Sequence, residues 1–376
     1  MNSIRYKISN LTRKQLGLYL LLALVFTASI LFVNFNYSFY DTPIAKVIEA
    51  NTVETTDTVD SFHNEDQLIT QHLTAQLKNG EEKGQLLQLT NEFSTSGAYD
   101  HEFQPGDELF VSVDKKKGEL TGTIKEVKRD KYLLLMAWVF IFTLLLVGQK
   151  QGLYSIISLA VNAVLLSYAL DVYIQTAGLS LLFVCSVSAV LFTVISLFLV
   201  NGFNEKTYAA IIATLLGTFL SLLITYMAME LTNEKGLKYE EIQFITRPYQ
   251  AVFMAGLFIG SLGAVMDVAI TMSSSIFGVY EENPGISVKA LKKSGLDIGK
   301  DIMGTMTNIL FFAYISGSIP MLILYLKNAN PLGFTLSMSL SLELARALAG
   351  GIGIVLTIPI GLYTAIFFVN RKRAKG

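Results

Sequence analysis

The chain has 376 residues, 52% of them hydrophobic and 16% charged, with a mean hydropathy of +0.49 and a formal net charge of −1. A soluble domain carries about a quarter charged residues, so this composition belongs to a polytopic membrane protein. The near-neutral balance, without any nucleic-acid-binding motif, excludes an RNA or DNA partner. The single cysteine, Cys185, excludes an internal disulfide framework and a cysteine-based metal site.

A helical span needs about 20 mostly apolar residues. Such runs lie at 17–35, 132–148, 153–172, 178–200, 207–230, 250–275, 302–326 and 347–369, which predicts eight spans. The first begins with basic residues but shows no small-x-small cleavage site, and it reads as an uncleaved anchor. Orientation follows from the lysines and arginines of the short segments. With the N-terminus inside, one side collects Arg5, Lys7, Arg13, Lys14, Lys150, Lys206, Lys289, Lys292, Lys293, Lys300, Arg371, Lys372, Arg373 and Lys375. The other collects only Lys235, Lys238, Arg247, Lys327 and Arg346, so both termini are expected in the cytoplasm.

Residues 38–131 form the sizeable polar part, expected outside. Alternating stretches such as "LTAQL", "DELFVSV" and "LTGTIKEV" are separated by "KNGEEKG", "QPGD" and "KKKGE", the pattern of a small β-barrel or sandwich. His63, His72 and His101 all fall here, but their spacing matches no ligand pattern, and no metal is assigned. The expected architecture is an α-helical membrane protein of about eight transmembrane helices. Residues 1–37 are tail and anchor, 38–131 a β-rich extracytoplasmic domain, and 132–376 a seven-helix membrane domain.

In the sixth span, "GSLGAVMDVAITMSSS" places Asp267, Thr271 and Ser274 at i, i+4 and i+7, on one helix face. The seventh opens "GKDIMGTMTNILFF", where Asp301, Thr305 and Asn308 repeat the spacing. An aspartate at a helix centre costs about 2.5–3.5 kcal/mol on insertion scales, so both stripes are expected to face the bundle or a wet cavity. Facing one another they would form an oxygen-rich lining suited to sodium, protons, magnesium or hydrogen-bonding solutes. The competing reading pairs either aspartate with Lys292, Lys293 or Lys300, or sets Asp301 at its helix N-terminus. Gly256, Gly260 and Ala264, and likewise Ala345, Ala349 and Gly353, form ridges for close helix packing. Gly260 and Gly263 in "GSLG" could loosen the helix, with Gly304 and Pro320 as further packing or hinge positions. Between the two polar spans, Pro284 and Gly285 break the chain and Ser287 caps a short amphipathic helix at the headgroup level. Glu343 and Arg346 stand at i, i+3 as a local ion pair, and Asn162 and Asp171 are further polar residues of the third span.

"GSLGAVMDVAITMSSS" (260–275), "KALKKSGLDIGKDIMGTMTNILFFAYISGSIP" (289–320) and "LELARALAGGIGIVLTIPIG" (342–361) together resemble the YibE/F-like family of bacterial multispanning membrane proteins. The resemblance covers most of the chain from about residue 132, with an extracytoplasmic module of the YibE type ahead of it. It implies a multi-pass protein of the bacterial plasma membrane, often regarded as permease-like, and a second, related YibF-type subunit or self-association within the lipid bilayer. It supplies no catalytic residue.

The residues support a permease for a cation or small polar solute. No Walker A pattern is present and no cofactor is expected. An envelope sensor or assembly scaffold acting through residues 38–131 is a second reading. An intramembrane aspartyl protease is a third, but the expected Gly-x-Gly-Asp is replaced by "IGKD" and Asp267 follows Met266 rather than Tyr. No enzymatic activity is expected.

Overall fold

A computed structural model describes residues 13–61, 63–97, 100–116, 119–241 and 248–374. Arg5, Lys7, Arg247 and Lys375 of the charge count lie outside them. The chain divides into two compact units, Met1–Leu144 and Leu145–Gly376.

The first unit opens with α1 (Arg13–Phe35) and one 3-10 turn (Asn36–Phe39). Five strands follow: β1 (Ile44–Val59), β2 (Glu65–Leu77), β3 (Leu86–Ser94), β4 (Glu108–Lys116) and β5 (Glu119–Val127). They close a barrel in the order β1-β2-β3-β5-β4, with β3 and β5 parallel and the other pairs antiparallel. Of the barrel and sandwich that the alternation allows, the chain forms a Greek-key barrel of the OB type. Alternate residues point inward and fill it: Leu73, Ala75 and Leu77 of β2, Leu87 and Leu89 of β3, Leu109 and Val111 of β4. A Cβ at Gly122 of β5 would collide with the Ser112 carbonyl of β4, so only glycine allows that approach. Buried Gln71 accepts from Phe103 N (3.1 Å) and donates to Phe103 O (3.2 Å), which fixes the loop before β4 without an orphaned amide.

The helix α2 (Asp130–Gln175) begins in the first unit and continues into the second. The second unit adds α3 (Leu181–Asn201), α4 (Glu205–Thr232), α5 (Tyr249–Glu282), α6 (Val288–Ser316), α7 (Ile319–Lys327) and α8 (Leu332–Arg373). Among the described residues six helices are long and apolar enough to cross a membrane, and the pair α6 and α7, bent by 51°, makes a seventh. The difference from the eight apolar runs has a local cause. Runs 132–148 and 153–172 contain no proline, and the helix is interrupted only at Gln149 (φ 47°, ψ −118°). Run 302–326 is split at Gly317 and Ser318, with Pro320 in the first turn of α7. The short amphipathic helix expected after Gly285 is the start of α6 itself: Ser287 caps it by accepting from Ala290 N at 3.2 Å, and the helix continues unbroken to Ser316. Nor does "GSLG" loosen α5, which is continuous through Gly263.

The centre of the second unit is α8, packed against α4, α5 and α6. Small residues set its distance from them. On α4, Ala209, Ala210, Ala213, Thr214 and Thr218 are buried, and the Thr214 and Thr218 hydroxyls donate to carbonyls one turn back, which satisfies them inside their own helix. Ser221 instead crosses to donate to Ala349 O of α8 at 2.7 Å. A Cβ on Gly217 would overlap the Thr357 hydroxyl, and one on Gly353 would stand 2.8 Å from Val265 Cγ2. By contrast Gly256, Gly263 and Gly304 have open space where a Cβ would go, so these predicted packing positions make no close helix contact within the chain.

Gly217→Ala and Gly353→Ala are each expected to cost about 1–3 kcal/mol through overpacking, whereas Gly256→Ala and Gly263→Ala leave stability unchanged. Thermal unfolding of the detergent-purified chain checks this; equal melting of all four variants would contradict the packing described.

Candidate functional site

Seven positions of α5, Gly256, Gly260, Gly263, Asp267, Thr271, Ser274 and Gly278, lie within about 40° of one line along the helix at 3.6 residues per turn. None carries a large apolar side chain. The line is about 33 Å long at 1.5 Å per residue, close to the thickness of a bilayer core. Asp267, Ser274 and the first three glycines are exposed, while Thr271 and Gly278 are half-buried. The buried residues of α5, including Val265, Val268, Met272 and Ile276, occupy the opposite side, against α4, α6 and α8. Among the described residues the Asp267 carboxylate has no hydrogen bond or ion pair.

The α6 stripe behaves in the same way. Gly295 packs on Ile276 of α5 and Leu362 of α8, Gly299 on Ile358, and Leu310 on Gly350 of α8. Asp301, Thr305 and Asn308 lie about 120–180° around the helix from those contacts and are exposed. The Thr305 hydroxyl donates to Ile302 O at 3.0 Å. The two polar faces therefore do not line a common interior of this chain; each looks outward. The reason is rotational: the glycines of α6 and the β-branched and sulfur-bearing side chains of α5 fill the contact between the helices, and the carboxylates fall on the other side. The lysines do not take the aspartates either. Lys300 pairs with Asp297 at 3.1 Å, and Lys292 stands over the Tyr363 ring at 4.7 Å.

Between the two helices, the Tyr314 hydroxyl of α6 reaches across to Gly260, where a Cβ would displace it. It lies within electrostatic reach of Glu343 and Arg346 of α8, which form the expected ion pair. Arg346 also stacks over Phe253 at 5.3 Å. Tyr314 is a residue that no sequence motif singles out, although a phenol in the run "ILFFAYISG" is a polar tip among apolar neighbours. Elsewhere in the unit, Asn162 and Ser158 both donate to Ser196 Oγ of α3, at 2.7 and 2.9 Å. Asp171 accepts from Gln175 at the exposed end of α2. Among the described residues, no three His, Cys, Asp or Glu side chains converge as metal ligands.

The first unit contains a second polar centre that the sequence did not announce. Lys128, after β5, has a fully buried side chain; its ammonium lies 3.0 Å from Asp130 Oδ2 and 3.4 Å from Glu108 Oε2, and donates to Val33 O of α1 at 3.2 Å. Glu108 accepts from Lys131 Nζ and Tyr37 Oη, both at 2.7 Å, while Asp130 accepts from Tyr40 Oη at 2.6 Å and Asn36 Nδ2 at 3.0 Å. Two cations and two anions thus join the end of α1, the barrel and the start of α2. Just beyond, Trp138 Nε1 donates to Ser29 Oγ at 2.9 Å and meets Phe26 edge-on at 5.1 Å. These contacts explain why the first unit includes α1 and α2 up to Leu144, rather than ending with the barrel at 131. Burial pushes the Glu108 carboxyl up, but the hydrogen bonds from Lys131 and Tyr37 and the two ammonium charges outweigh it and hold it below the usual carboxylate range. The hydrogen bond to Asp130, then burial, raises the Tyr40 phenol.

A barrel of the OB type carried between helices long enough to span a bilayer is the make-up of a membrane protein with one folded β module. Residues 136–371 match the YibE/F-like protein family, and residues 38–127 match the YibE/F family N-terminal domain. The chain belongs to the YibE/F-like family, as the motifs from 260 onward indicated. No curated protein and no solved structure matches it.

Because the folded Glu108 ionises more readily than in the unfolded chain, its stabilisation is complete above about pH 4 and is lost as pH falls through the lower folded value. Thermal melts of the full chain in detergent should fall in acid, and Glu108→Gln should flatten that slope. Lys128→Met, which takes the shared cation from buried Glu108 and half-buried Asp130, is expected to cost about 3 kcal/mol; a neutral outcome would remove the network from the account of this unit.

Proposed function

We propose that the protein is a permease subunit for a cation or small polar solute, with the outward α5 stripe forming one wall of the translocation path. The observation that carries this reading is the exposed Asp267 carboxylate, without a hydrogen bond or ion pair among the described residues, on a membrane-length helix. Facing lipid it would cost about 2.5–3.5 kcal/mol, and a face free of large apolar side chains gains little from acyl chains in return. A second membrane subunit, either a related YibF-type chain or another copy, closes the wall and leaves a hydrated, oxygen-lined path. In this reading the 46 residues of α2, about 69 Å of helix, divide at Gln149 into two crossings, and α6 with α7 forms one broken crossing. The spans then number eight, both termini face the cytoplasm of a bacterial cell, and the barrel lies outside, as the lysine and arginine asymmetry directs.

The alternative of a sensor or assembly scaffold draws support from the buried ion network, which ties the barrel rigidly to α1 and α2. A proton-sharing protease dyad requires adjoining carboxylates, and the outward setting of Asp267 and Asp301 speaks against it.

Proteoliposomes holding the chain with and without its related subunit test the permease reading. Asp267→Asn is expected to reduce flux of the transported ion about tenfold or more while the melting temperature holds, and cysteines at Gly256 or Gly263 should cross-link across the interface. Unchanged flux of sodium, magnesium, protons and potassium in the variant would overturn the assignment.

A further inference from the structure

We propose that the outer edge of β1 is a docking strand for a basic extended segment of another protein, which adds to the barrel's sheet as a further strand. On one side β1 pairs with β2 along its whole length from Ala45 to Val59. On its other side it pairs with β4 only at Ile44, Ala45 and Lys46, and a last pair of bonds joins Val47 to Asp107 and Gly106. From there to Val59 no strand pairs with this edge among the described residues. Bulges interrupt the register near Val47 and between Thr52 and Glu54, but from Glu54 to Val59 it runs regularly against Thr70 to Glu65.

The backbone parity of this stretch can be read directly. Asp60 N donates to Asn64 O across the hairpin, so Thr58 and Thr56 direct their peptide groups toward β2. Opposite Asp57, the Gln67 carbonyl is turned the other way, to accept from Thr95 N at 3.0 Å. The N–H and C=O groups of Thr55, Asp57 and Val59 therefore point out of the open edge.

Exposed edges are usually blunted by lysine, proline or a covering segment. Between Glu49 and Val59 there is neither lysine nor proline, and Thr52, Val53, Thr55, Thr56, Thr58 and Val59 are β-branched residues that favour an extended chain. The charge selects the occupant. Residues 47–77 hold six carboxylates and no lysine or arginine, and among the described residues Glu49, Glu54 and Asp57 have no cationic partner. An incoming strand bearing lysine or arginine at alternate positions gains backbone hydrogen bonds and opposite charges together. A second copy of β1 would set carboxylates against carboxylates.

The full chain in detergent micelles is titrated with a labelled peptide that alternates lysine with valine and threonine, and with its glutamate-for-lysine counterpart, by fluorescence anisotropy. The basic peptide should bind at least about tenfold more tightly, and Thr55→Pro, which deletes an outward N–H without touching the β1–β2 ladder, should weaken it about tenfold with an unchanged circular dichroism spectrum. Should that variant misfold, Glu54→Lys with Asp57→Lys replaces it and should reverse the preference toward the acidic peptide. Equal binding of both peptides, binding indifferent to Thr55→Pro in a folded barrel, or a concentration-dependent dimer that Thr55→Pro abolishes would each overturn the proposal.

Discussion

The close approach of α4, α5 and α8 is the constraint on which the membrane unit depends. Lipid tails are as apolar as leucine side chains, so helices in a bilayer gain little from hiding hydrophobic surface and associate through packing and interhelical hydrogen bonds. Here glycine, alanine, serine and threonine bring the backbones together, and Ser221 bonds directly to the main chain of α8. Interlocking at this range leaves α5 one rotational setting. Once Val265, Val268 and Met272 are seated, Asp267 can only face outward, and the direction of the carboxylate is a consequence of methyl and hydroxyl packing on the other side of the helix.

The first unit solves a different problem with different means. A small barrel held on two helices is prone to swivel unless its ends are fixed, and apolar packing alone fixes a rotation poorly. Lys128 sits where three elements meet and reaches an acceptor on each: Val33 O from α1, Glu108 from β4 and Asp130 from α2. Buried ion networks of this kind contribute little net stability relative to apolar residues of the same size, yet losing one member is costly. Such a network specifies an arrangement more than it strengthens it. The unsatisfied Asn36 Oδ1 and the long 3.4 Å approach of Glu108 Oε2 to Lys128 are consistent with a geometry chosen for position over hydrogen-bond count.

Membrane class, the barrel's place in the chain, the Ser287 cap and the Glu343 and Arg346 pair were legible in the sequence, because each depends on residues close in the chain or on composition. The grouping of Asp267, Thr271 and Ser274 on one face was equally legible, since helical periodicity alone dictates it. Where that face points was not. Periodicity states which residues share a side, and only the sum of contacts with other helices states what lies opposite it. The same limit hid Tyr314, whose role comes from a glycine 54 positions earlier. It hid the charged collar too: Val33 and Glu108 converge on Lys128 and Asp130 from places that no local pattern connects. The break at Gln149 falls where the apolar runs 132–148 and 153–172 meet, in the polar stretch at 148–152, so its place was legible in hydropathy.

The two exposed features, the α5 stripe and the β1 edge, differ in how strongly their surroundings compel a partner. In water an open strand edge is solvated at no great cost, and its free peptide groups are a liability only when another strand arrives. Inside a bilayer no solvent takes up a carboxylate, so an outward Asp267 is destabilising from the moment of insertion. An open strand edge therefore carries no standing penalty in water, whereas a carboxylate facing lipid does. On the proposed reading, that difference in dielectric makes the demand for a partner stronger at the α5 face than at the β1 edge.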